Sequence, residues 1–163
     1  MSLEHAIIEA LRTHSETPGA LTDPATGRQH HINLQKALRL PVADRTDYRR
    51  GRCYFFETVV PAPAEGVWQY ALRIRVSGAG PFAIHTLMQR FAQTRWWAGS
   101  VRPTRGPLSE AQAGAIERLR AWYHEAGLTE VDPETQALPT PADAYPGRRE
   151  AGTLSRSLFG DYR

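Results

Sequence analysis

The chain has 163 residues, 41% of them hydrophobic, and carries 20 basic against 17 acidic side chains for a formal net charge of +3. That length and apolar content suit one globular domain whose core needs no staple, and a lone cysteine, Cys53, excludes an intrachain disulfide and a cysteine-built zinc site. No run approaches the roughly 18 apolar residues of a membrane span, and Glu4 with His5 breaks the place of a secretory leader, so a cytoplasmic protein with no membrane partner is expected.

Ser2 is a good N-cap, Glu4 sits where a helix dipole favours an anion, and Leu3, Ile7, Ala10 and Leu11 recur at helical spacing. This predicts a first helix ending near Ser15. Asp23-Pro24-Ala25-Thr26-Gly27 has turn chemistry and predicts a hairpin with extended pieces on either side, including Gln29 to Asn33. A brief helix over Asn33 to Leu40 follows.

Arg52 to Val60 is rich in aromatic and β-branched residues. Val67 to Val76 alternates, with Trp68, Tyr70, Leu72, Ile74 and Val76 on one face and Gln69, Arg73 and Arg75 on the other. The Pro-rich connection from Pro61 to Gly66 is too short for a crossover helix, so the two strands are expected to pair antiparallel. Phe82 to Gln93 fits two templates: Ile84, Leu87, Met88 and Phe91 match a helix, whereas Phe82, Ile84, Thr86 and Met88 alternate as in a strand. The helical template is preferred.

Ser109-Glu110-Ala111-Gln112 is a capping box, followed by Ile116, Leu119, Tyr123 and Ala126 on one face and by Gly127 as a stop. Thr129 to Val131 reads as a short strand and the proline-bearing stretch from Asp132 to Pro146 as irregular. Leu154, Leu158 and Phe159 restore an apolar pattern, which predicts a tail docked on the body. The expected fold is a single α+β domain over residues 1–163, with a small antiparallel sheet around residues 52–76 covered by the N-terminal helix and by the helix from Glu110 to Ala126.

Charge is distributed unevenly along this chain. Residues 1–65 are neutral, residues 66–109 carry +6 without a single acid, and residues 110–163 carry −3. Nineteen of the basic residues are arginine and Lys36 is the only lysine. A GC-rich genome explains the arginine excess, because codon bias acts on the whole chain. It does not explain why 44 consecutive residues lack Asp and Glu.

Within the acid-free stretch, Arg90, Arg95, Arg102 and Arg105 surround adjacent Trp96 and Trp97. Guanidinium forks bind carboxylates and phosphates bidentately and indoles stack on bases or cations, so these six residues are the candidate partner-binding site. The competing reading places one or both tryptophans in the core and pairs the arginines with Glu110, Glu117 or Glu125. Arg50-Gly51-Arg52-Cys53-Tyr54-Phe55-Phe56-Glu57 meets the RNA-recognition-motif signature at Arg50, Gly51 and Tyr54 only, and Glu57 stands where a stacking ring belongs.

No nucleophile elbow, phosphate loop or dinucleotide fingerprint is present. His30 and His31 have no histidine or carboxylate at metal-ligand spacing, so neither a metal nor another cofactor is expected. His85 reads as a partly buried, backbone-satisfied histidine, Cys53 as a buried inert thiol, and Glu130 with Asp132 as a charged strand end. By elimination the sequence points to a non-enzymatic bacterial binding protein of inhibitor, immunity or adaptor type, with an acidic protein as partner. Nucleic acid is the alternative partner. An enzyme acting on an anionic small molecule would need His85, His124 or Cys53 to converge.

Overall fold

The Ser2 side chain accepts the backbone N–H of His5 and opens α1 (Leu3–Thr13). Asp23 caps a second helix, α2 (Pro24–Leu38), by accepting the N–H of Thr26, with Pro24 at the first helical position. After a two-residue strand, β1 (Ala43–Asp44), come three long ones: β2 (Cys53–Val60), β3 (Trp68–Ser77) and β4 (Phe82–Phe91). A short β5 (Arg102–Pro103) precedes α3 (Glu110–Glu125), whose capping box between Ser109 and Gln112 is fully formed. Gly127 at φ 67° stops α3, and the Leu128 N–H bonds back to the Tyr123 carbonyl at 2.8 Å. Then follow β6 (Thr129–Glu130), α4 (Pro133–Ala137), a 3-10 turn at Ala142–Ala144 and α5 (Leu154–Phe159). The structure, a computed structural model, describes residues 1–17, 19–61, 67–91, 101–144 and 152–160.

The sheet runs β1-β2-β3-β4-β5, antiparallel throughout, and β6 adds to β4 in parallel. The expected hairpin of β2 and β3 is present, with Phe56 opposite Ile74 and Glu57 opposite Arg73. Opposed residues share a face, so the register sorts the side chains into two sets. Tyr54, Phe56, Leu72, Ile74, Val76, Ala83 and Leu87 meet Leu34 and Leu38 of α2 and Ala115, Leu119, Trp122 and Tyr123 of α3. Cys53, Phe82 and Ile84 point the other way, into a core shared with Ile7 and Leu11 of α1 and Leu154, Leu158 and Phe159 of α5. This is a single α+β arrangement with helices on both faces of one sheet. The docked tail is part of it: Leu154, Leu158 and Phe159 are fully buried. Each such side chain contributes about 1.5–3 kcal/mol by leaving water.

Three segments differ from expectation. Residues 82–91 form a strand, because Phe82, Ala83 and Ile84 are buried on both faces of the sheet and so mask the alternation that identifies a strand. Residues 24–38 form one helix in place of a hairpin and a brief helix. Asp23 and Pro24 act there as cap and first helical residue, not as a turn, and Gln29 to Asn33 is helical. Within the stretch expected to be irregular, Asp132 caps the five-residue α4. Among the described residues no helix is long and apolar enough to cross a membrane.

Candidate functional site

At the end of the sheet where β3 begins and β4 stops, Trp68 lies opposite Phe91. Their rings stack at 4.1 Å between centroids and 22° between planes. From β5, which pairs Arg102 with Gln89, the Arg102 guanidinium carbon sits 4.8 Å from the Trp68 ring centroid. Arg102 and Phe91 both pack on the Trp68 indole, and the cation–π contact contributes about 0.5–1 kcal/mol at an exposed position. Phe91 is 49% exposed and neighbouring Val67 63% exposed, while Arg102 and Arg105 face solvent. Large apolar side chains and cations are thus presented together.

The opposite face of the same strands also carries arginines, but these are engaged within the sheet. Arg73 donates to Glu57 at 3.0 Å, Arg75 lies 5.4 Å over the Phe55 ring, and Arg90 donates to the Gln69 side-chain oxygen. The sequence cluster is therefore divided: Arg90 belongs to the face of Arg73 and Arg75, and Arg102 to the face of Trp68 and Phe91. Arg95, Trp96 and Trp97 lie outside the described residues. Among the described residues no ion pair joins Arg102 or Arg105 to Glu110, Glu117 or Glu125. Sequence reasoning missed Trp68 and Phe91 as partners because treating residues 82–93 as a helix removes the register that opposes them. The strand alternation through Phe82, Ile84, Thr86 and Met88 was the available signal.

A second polar group lies where β4, β6 and α3 meet. The His85 Nδ1 is 3.4 Å from the Tyr123 hydroxyl and 3.6 Å from a Glu130 carboxylate oxygen. Arg120 grips the same carboxylate with two donors at 2.9 and 3.1 Å. Burial pushes the His85 imidazole below its ordinary range, opposed by Glu130 and reinforced by Arg120. The Arg120 hydrogen bond holds Glu130 low, and burial drives the Tyr123 phenol well above its ordinary value. The expectation of a backbone-satisfied His85 thus gives way to side-chain partners that the sequence separated by 38 and 45 positions.

The remaining candidates have structural occupations. Cys53 donates its thiol to the Phe159 carbonyl at 3.2 Å, beneath the sheet face opposite to His85, and His124 is exposed on α3. His85, His124 and Cys53 do not converge. Asp132 caps α4 and Glu130 is held by Arg120, so these two carboxylates are separately committed. His30 meets Tyr54 and Trp122 edge-on at 5.2 and 5.7 Å, and His31 stacks on Phe56 at 6.2 Å. Among the described residues no group of three or more His, Cys, Asp or Glu side chains is placed to hold a metal ion. No protein-family model, no curated protein and no solved structure matches this chain.

Proposed function

We propose that this is a non-enzymatic binding protein that docks on an acidic protein surface through Trp68, Phe91, Arg102 and Arg105. The observation that carries the reading is the packing of Arg102 and of the exposed Phe91 ring on Trp68. Arginine and aromatic side chains are the residue types that dominate binding energy at protein interfaces. A guanidinium stacked on indole keeps its edge donors available for a carboxylate. Arg102 and Arg105 lie in a stretch, residues 66–109, that holds no acid, so no carboxylate from it offsets their charge toward a negative partner. Arg95, Trp96 and Trp97, outside the described residues, continue the same composition in the sequence.

Nucleic acid is the less favoured partner, because net charge is only +3 and the two described arginines of this surface, Arg102 and Arg105, neutralise few phosphates. The test is affinity purification from the native host with wild-type protein, an Arg102→Glu/Arg105→Glu variant and Phe91→Ala. The expected result is one protein partner retained by the wild type and lost from both variants, with unchanged melting temperature. Retention of that partner by both variants overturns the surface. Co-purification of nucleic acid alone, with affinity falling steeply as salt rises, replaces the acidic protein by the alternative.

A further inference from the structure

We propose a second, separate binding site for a small zwitterion in the cleft between α2 and α3. A cavity of about 430 Å³ opens there, lined by Asn33, Lys36 and Ala37 of α2 and by Trp122, Glu125 and Ala126 at the end of α3. That volume falls within the roughly 300–1,000 Å³ of small-molecule sites. The indole forms a fixed wall, since Trp122 is 2% exposed and His30 braces it edge-on from α2.

The charges around the cleft give the ligand its class. Lys36 and Glu125 stand on facing helices and do not close on one another, and among the described residues neither has an ion-pair partner. Opposite charges that line one cavity from exposed positions without pairing match a ligand that carries an anionic group for the lysine and a cationic group for the carboxylate. The Asn33 side-chain oxygen accepts from Gln29 at 3.1 Å, so its amide N–H groups are the donors it has left to offer a ligand. Lysine is otherwise absent from a chain with 19 arginines. A compact ammonium on a flexible stem reaches into a small cleft where a planar guanidinium fork would fill it. A free α-amino acid or a dipeptide has the required pair of charges and fits the volume.

The probes are the protein-forming L-amino acids and L-alanyl-L-alanine, each titrated to about 10 mM into the isotopically labelled full chain and followed by backbone amide shifts. That range detects the millimolar affinities of small ligands. Saturable shifts are expected from at least one probe, confined to residues 33–37 and 122–126. The N-acetyl and C-terminal amide forms of the same probe, each lacking one charge, should bind at least about tenfold more weakly. Lys36→Gln and Glu125→Gln should each abolish the shifts while leaving the rest of the spectrum in place, and Lys36→Glu with Glu125→Lys should restore them. Equal binding of the singly charged forms, or no shift at these residues with any probe, overturns the proposal.

Discussion

His85 on β4 faces Glu130 on β6 with 3.6 Å between imidazole nitrogen and carboxylate oxygen, yet the net effect of its surroundings disfavours the cationic ring. Burial outweighs the attraction of the carboxylate, and Arg120 both reinforces that burial and occupies the carboxylate with two hydrogen bonds. The groups facing the ring are therefore Tyr123 and Arg120 from α3 and Glu130 from β6.

This arrangement fixes the sign of the pH dependence. The folded pKa of His85 lies below the unfolded value of about 6.5, so acidification protonates the unfolded chain first. Stability present above about pH 6.5 is lost as pH falls toward the folded value. Glu130 has its folded pKa lowered, so its contribution is present above about pH 4.3 and lost as pH falls through the folded value. His30 is also lowered by burial and adds to the first loss. Urea midpoints compared at about pH 7.5 and 5.5 should fall less for His85→Gln than for wild type, and less again for His30→Gln/His85→Gln. A full wild-type decrease in the double variant would refute this assignment.

The second expectation concerns the C-terminal helix. Phe159 is fully buried against α1 and its carbonyl accepts the Cys53 thiol. Phe159→Ala should cost about 3–5 kcal/mol, the range for deleting a buried ring, as measured by urea unfolding. Labelling of Cys53 by a thiol reagent in native buffer, negligible in the wild type because the thiol is fully buried, should accelerate in the variant. A loss below about 1 kcal/mol would mean that α5 is not integral to the core.

Gly27 provides a test in which helix propensity and packing disagree. Alanine is better than glycine in a helix by about 1 kcal/mol, but the place of a Cβ on Gly27 is taken by the ring and hydroxyl of Tyr48. That hydroxyl donates to Asp44 at 2.7 Å, and burial followed by this hydrogen bond pushes the phenol up to about 12. Gly27→Ala should therefore destabilise, and the phenol should titrate lower as its bond to Asp44 is broken. In a Tyr48→Ala background the same substitution should become stabilising. Stabilisation by Gly27→Ala alone would show that the tyrosine yields without cost.

Legibility followed the clarity of local signals. The β2–β3 pair was readable because alternation in Val67 to Val76 reports a sheet with distinguishable faces, and the register bears this out with Leu72, Ile74 and Val76 in the core. The capping box at Ser109 and the stop at Gly127 were readable because caps are chemically specific. The first half of the helix over residues 24–38 was obscured because Asp23 and Pro24 read as a turn and because His30 and His31, whose rings pack on Tyr54, Trp122 and Phe56, do not register as apolar. Half of the candidate surface was visible as arginines without acids. Its other half, Trp68 and Phe91, depended on a strand pairing.

By itself the sequence determined a single α+β arrangement, the principal hairpin, the strongest helix, the docked tail and an acid-free basic stretch. Those follow from periodicity, capping and composition, which act over a few residues. Only the tertiary structure decided that Arg90 and Arg102 belong to opposite faces, that Arg102 rests on Trp68, and that His85 meets Tyr123 and Glu130. Each of these depends on strand register or helix docking between residues far apart in the chain, and a register shift by one position would exchange every face.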